Sequence, residues 1–230
     1  MKTSSTWRSL TIAQSGISFG FACKISIIPI LANEYLEGAT SAGFLLSAAG
    51  LAGLAGAPLG GLLADKAGSR VAAAVAGTAS GLSLALVSVG LSLKAVESTT
   101  IDGSVSSPLA EGFSSSTSFW GSIFTRIDSP EATALTILVL LWSLGASAQG
   151  PALTALAQEK APTGSEATAL GLPRAVGDGT YIVAPLILGY FTDKMGSTVP
   201  GVSCAVAGGA ICVGSIALLI FNSSEDIENS

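Results

Sequence analysis

Residues 57–70 read APLGGLLADKAGSR, and residues 184–198 read APLILGYFTDKMGST. Gly61, Asp65, Lys66, Gly68 and Ser69 recur as Gly189, Asp193, Lys194, Gly196 and Ser197, a shift of 128 residues. Each copy sets an acidic–basic pair and a glycine at the end of a long apolar run. Such runs are too long for barrel strands and lack period-two alternation, so helices are the remaining way to satisfy a backbone in lipid.

Composition points the same way. The chain has 230 residues, 49% of them hydrophobic and 11% charged, with a mean hydropathy of +0.66. Soluble domains carry about a quarter charged residues, so the sequence reads as an all-α, polytopic membrane protein. A net charge of −5 without a basic patch excludes a nucleic-acid partner. Histidine is absent, which removes His-ligated metals and Ser-His-Asp chemistry. Cys23, Cys204 and Cys212 lie in apolar runs and read as small buried hydrophobes. No metal or cofactor and no enzymatic activity is expected.

A spanning helix needs about 20 mostly apolar residues. Six runs qualify, over residues 10–31, 40–64, 71–93, 132–156, 169–191 and 199–221. They divide the chain into a first three-helix repeat (1–93), a Ser/Thr-rich extramembrane loop (94–131), a second three-helix repeat (132–221) and a polar C-terminal tail (222–230). Near the loop's end, Phe119, Trp120, Ile123, Phe124 and Ile127 recur at helical spacing, as in a short interfacial helix or a chance cluster in a loose loop. The N-terminal MKTSSTWRSL precedes a run too long for a signal peptide and lacks a small-residue cleavage site, so it reads as a retained first span. With the N-terminus inside, Lys2, Arg8, Lys66, Arg70, Lys160 and Arg174 face inward, and Lys94, Arg126 and Lys194 outward. That asymmetry favours two cytoplasmic termini.

The two corner motifs are three spans apart. Three is odd, so the copies face opposite sides, which is the pattern of a 3+3 inverted repeat. At such a corner Gly61 is expected to permit close helix contact and Gly68 to free the turn. Asp65 suits a helix N-terminus, and Lys66 and Arg70 can pair with it and hold the corner inside.

GLLADKAGSR resembles the motif that joins the second and third helices of each half in the major facilitator superfamily. Gly61, Asp65, Lys66, Gly68 and Arg70 match it, while Ser69 stands where a second basic residue is usual. The stretch ALGLPRAVGDGTYIVAPLILGYFTD resembles the approach to, and body of, that family's eleventh helix, through Arg174, Gly177, Asp178 and Pro185. The resemblance covers nearly the whole chain but six of the family's usual twelve spans. The tail NSSEDIENS reads as a natural C-terminus. The resemblance therefore implies a C-terminal six-helix half, as a fragment or a half-size member. It implies a secondary transporter of a small-molecule solute, with or without proton coupling. A second half, from a separate chain, from another copy or from sequence beyond this chain, would complete it. In the family the corner latches one transport conformation. A non-transporting membrane scaffold or assembly subunit built on a transporter half is the alternative.

Candidate solute or ion-coupling residues are Gln14, Lys24, Trp142, Gln149, Arg174, Asp178 and Tyr181. Lys24 within a span costs about 2.5–3.5 kcal/mol on insertion scales, so it is either an anion-binding or proton-coupling group or a snorkelling one. Arg174 and Asp178 are four residues apart, and the spacing favours a self-neutralised anchor over a gate. Gln14, Trp142, Gln149 and Tyr181 suit helix contacts first and solute contacts second. GISFG, residues 16–20, mimics a nucleophile elbow, but no histidine exists to activate Ser18.

Overall fold

A computed structural model describes residues 5–36, 38–97, 129–164 and 166–228. Among them are seven helices and no strand: α1 (Ser5–Ser26), α2 (Ile28–Tyr35), α3 (Ala39–Ala67), α4 (Ser69–Glu97), α5 (Pro130–Glu159), α6 (Glu166–Met195) and α7 (Val202–Glu228). The proposed interfacial helix near Phe119–Ile127 lies outside the described residues. The stretch expected to be a polar tail continues the last helix as far as Glu228.

Four helices are long and apolar enough to cross a membrane: Ala39–Ala67, Ser69–Ser92, Pro130–Glu159 and Val202–Ile220. The α1–α2 pair makes a fifth if its 42° bend lies within one span. The chain thus has the character of a multi-pass membrane protein, with four or five such spans where six are expected. The shortfall is α6, which is 30 residues long but not apolar enough. Its first half carries Arg174, Asp178 and Thr180 among three glycines.

Local chemistry sets the element ends. The α1–α2 break follows from Pro29 in the first turn of α2. Proline has no N–H to give the carbonyl four residues back, and its ring crowds that turn. α3 stops at Gly68, whose φ of +86° is open to glycine at little cost, and whose N–H bonds the Ala64 carbonyl at 2.9 Å. α5 starts on Ser129, whose hydroxyl accepts from the Ala132 N–H at 3.2 Å, with Pro130 in the first turn.

In lipid the hydrophobic effect does not drive helices together, so close packing of small residues must. Gly56 and Gly60 of α3 lie against the Leu144 and Ala148 carbonyls of α5, where a Cβ would collide with backbone. Gly16 of α1 meets Ala210 of α7, and Gly81 of α4 meets Gly208 of α7. A Cβ on Gly61, by contrast, would point into open space. The close-contact role expected of Gly61 therefore belongs to Gly60, because a one-residue step turns a helical side chain by about 100° onto another face.

The principal neighbours are α4 with α5 and α7, α3 with α5, and α1 with α6 and α7. A core cluster surrounds the fully buried Trp142, and a smaller one surrounds Leu10, Ala73 and Leu156. The two Asp-Lys corners lie at opposite ends of the bundle. At the first, Arg70 Nε and Nη2 donate to the Leu218 and Leu219 carbonyls of α7 at 2.8 and 2.5 Å, and Ser69 donates to Glu159 of α5 at 2.8 Å. At the second, Thr192 and Ser203 share a 2.6 Å hydrogen bond. There Ser88, near the far end of α4, donates to the Pro200 carbonyl at 2.9 Å.

Candidate functional site

Residues 14, 18, 21 and 25 fall on one face of α1 by the i, i+4, i+7, i+11 rule. They are Gln14, Ser18, Phe21 and Ile25, and together they form one wall of the main cavity, about 800 Å³ in volume. α5 closes a second side with Gly150, Leu153, Thr154 and Ala157. α6 supplies the charged wall through Arg174, Asp178 and Tyr181, one turn apart. The approach of α1 to α6 depends on Gly177, where a Cβ would meet Ser18 Oγ and Gln14 Cγ at 2.9 Å.

The structure therefore brings four of the seven sequence candidates into one space: Gln14, Arg174, Asp178 and Tyr181. Arg174 and Asp178 are exposed to it, and Tyr181 is half-buried. Among the described residues no hydrogen bond or ion pair joins Arg174 to Asp178, so the self-neutralised anchor is not what forms. The other three candidates lie elsewhere. Gln149 is completely buried beside Gly77 and Ser215, where its Nε2 donates weakly to Ser215 Oγ at 3.4 Å. It serves the packing of α4, α5 and α7. Trp142 is buried against Gly20, with Phe21 edge-on at 5.9 Å. Lys24, half-buried, holds its Nζ 5.9 Å from the centre of the Trp142 ring, within range of a cation–π contact. That contact gives Lys24 an intramolecular partner behind the cavity wall.

Ser18 and Thr154 also line the cavity, although neither is among the sequence candidates. The usable signal was the run Gln14, Ser18, Phe21, Ile25, a polar-to-apolar stripe on one face of a mostly apolar helix.

The corner motif is built differently from expectation. Asp65 and Lys66 are exposed, and Arg70 reaches across to α7 backbone. Ser69, where the resembling motif carries a base, is 3% exposed and ties the corner to α5 through Glu159. A basic side chain there would have to bury its charge or swing away.

A second cavity of about 320 Å³ lies at the other end of the bundle, between Glu34 and Tyr35 of α2 and Gly196 and Pro200 after α6. Among the described residues no group of three or more Cys, Asp or Glu is arranged to hold a metal. Cys23 and Cys204 are free, buried thiols with sulfurs 3.6 Å apart.

No protein-family model matches the chain, and no curated protein matches it in sequence.

Proposed function

We propose that the chain is one six-helix half of a secondary transporter of the major-facilitator type, working with a second half to carry a small solute by alternating access. The observation that carries this reading is the order of helix contacts. Number the spans one (α1–α2), two (α3), three (α4), four (α5), five (α6) and six (α7). Exchanging one with four, two with five and three with six maps the main neighbours onto one another. Span three on four becomes six on one, two on four becomes five on one, and three on six returns to itself. A pseudo-two-fold axis in the membrane plane produces that exchange, and inverted-repeat transporters bind solute where such repeats meet.

Two further points support it. The main cavity lies between spans one, four and five, with its charged wall on span five. α3 is the least covered of the candidate spans, which leaves a face for a second half. On this reading α6 crosses as the fifth span with its polar face on the cavity, and both termini face the cytoplasm.

The test is solute flux in proteoliposomes, with the chain reconstituted alone and together with a second half. Uptake by the paired preparation, lost in Arg174→Gln and Asp178→Asn, supports the carrier. Absence of flux from both preparations, with the chain co-purifying in an unrelated membrane complex, overturns it in favour of a scaffold subunit.

A further inference from the structure

Arg174 and Asp178 stand eight and twelve residues into α6, about 12 and 18 Å along a helix about 45 Å long. That depth is within the hydrocarbon layer for a spanning helix. A charge facing lipid there costs about 2.5–3.5 kcal/mol, so these two residues are tolerable only where they face water or a solute. They do face the main cavity. They are also not spent on each other. The i, i+4 spacing allows a pair, yet among the described residues neither makes an ion pair or hydrogen bond with the other.

The cavity therefore offers one cation and one anion, a turn apart, with no net charge between them. The cavity is partly open and both side chains are exposed to it. A singly charged solute would pair with one of these and leave the other to water alone, and an uncharged solute would pair with neither. A solute carrying both charges satisfies both, and its own two charges are matched in return. The remaining lining suits a small organic body, with Gln14, Ser18 and Thr154 offering hydrogen bonds and Phe21, Leu153 and Tyr181 apolar surface.

We propose that the cavity takes a small zwitterion, an organic solute bearing a carboxylate and an ammonium group a few bonds apart. Arg174 receives the carboxylate through its forked N–H groups, and Asp178 accepts from the ammonium. The inference rests on the carrier reading and names its class of cargo.

The test uses the full chain in lipid nanodiscs, with binding read by radioligand retention and by the thermal midpoint. The probes are glycine, γ-aminobutyrate and glycine betaine as zwitterions of different span, with propionate and propylamine as singly charged controls. At least one zwitterion binds and raises the midpoint, and neither control matches it at about tenfold higher concentration. Arg174→Gln and Asp178→Asn each weaken that binding by about tenfold or more, as expected for loss of a charged hydrogen bond. The exchanged variant, Arg174→Asp with Asp178→Arg, keeps both charges and retains zwitterion binding in reversed orientation. Four results overturn the proposal. One is a control that binds as tightly as any zwitterion. Another is zwitterion binding unchanged in both single variants. The third is no zwitterion binding by a chain whose helical circular dichroism is intact. The fourth, flux of a singly charged solute through vesicles with no zwitterion moved, sinks this class of cargo and leaves the carrier reading standing.

Discussion

Gly60 and Gly61 are neighbours in sequence with opposite surroundings. A Cβ on Gly60 strikes the Ala148 carbonyl, while one on Gly61 meets open space. Gly60→Ala is therefore expected to destabilise the bundle by about 1–3 kcal/mol, the usual cost of overpacking. Gly61→Ala is expected to be neutral or to gain up to about 1 kcal/mol from helix propensity. Denaturant unfolding of the purified chain in mild detergent measures both, and equal losses would refute the assigned contact. The motif's Gly61 is not the contact glycine, because motif register says nothing about which face a helix turns to its neighbour, whereas the small-xxx-small spacing of Gly56 and Gly60 does. Glu166 gives a second residue-scale test. The Gly164 N–H, at 2.9 Å, followed by the residue's own N–H, holds its carboxyl below the usual carboxylate range, outweighing a small opposing effect of burial. The ionised form favours the fold, so its contribution is present above the unfolded carboxylate value and fades as pH falls through the folded one. A carbon-detected titration of Glu166 should show a midpoint below that of an unstructured glutamate. Glu166→Gln should remove the corresponding acid-side step in helix stability.

At the scale of elements, apolar runs were read well and interruptions less well. All six expected runs are helical, since length and apolarity decide that in the absence of breakers. Composition averaged over residues 10–31 hides the α1–α2 break, which Pro29 makes by lacking an N–H for the preceding turn. α6 falls short of the apolarity expected of a span because the half that lines the cavity carries Arg174 and Asp178. Four of the seven site candidates, Gln14, Arg174, Asp178 and Tyr181, line the main cavity, and they stood out in sequence because polar groups inside apolar helices are few. Trp142 and Gln149 could not be separated from them, since burial in a helix seam and exposure to a cavity leave the same trace in sequence. The polarity of α6 has an accessible consequence. In a background with Cys23, Cys204 and Cys212 replaced by Ala, Gly171→Cys and Arg174→Cys should react rapidly with a charged thiosulfonate reagent. Ile182→Cys and Leu186→Cys, 74% exposed each, continue the Arg174–Asp178 stripe into the apolar half of the helix and should react at least about tenfold more slowly. Equal rates along the helix would place all of α6 in water. The corner between α3 and α4 offers a further test, because Arg70 spends two donors on α7 carbonyls. Arg70→Gln should cost about 1.5–3 kcal/mol, the range for charged hydrogen bonds, by the same unfolding assay. Arg70→Lys should recover part of it, since one ammonium cannot reproduce the fork.

For the molecule as a whole, a sequence can reveal that a motif recurs but not which helices touch. The shift of 128 residues raises the expectation of two related halves, whereas the pairing of α1 with α6 and α7, and of α5 with α3 and α4, depends on surfaces that only assembly brings together. That pairing matters because helices in lipid are held by close packing and a few hydrogen bonds, each worth about 0.6 kcal/mol on average. Ser143 donating to the Ala49 carbonyl is one example. On the proposed reading the bundle uses one packing solution twice, and an odd number of spans per copy turns the second copy over. The exposed Lys66 and Lys194 mark the two corners and lie at opposite ends of the bundle. In the cysteine-free background, Lys66→Cys and Lys194→Cys should each be labelled by a membrane-impermeant maleimide from one side of sealed, uniformly oriented vesicles, and from different sides. Permeabilising the vesicles should expose the protected corner in each case. If both cysteines label from the same face without permeabilisation, the copies are not inverted across the bilayer. The exchange of spans one with four, two with five and three with six then loses its physical basis, and with it the argument for a carrier.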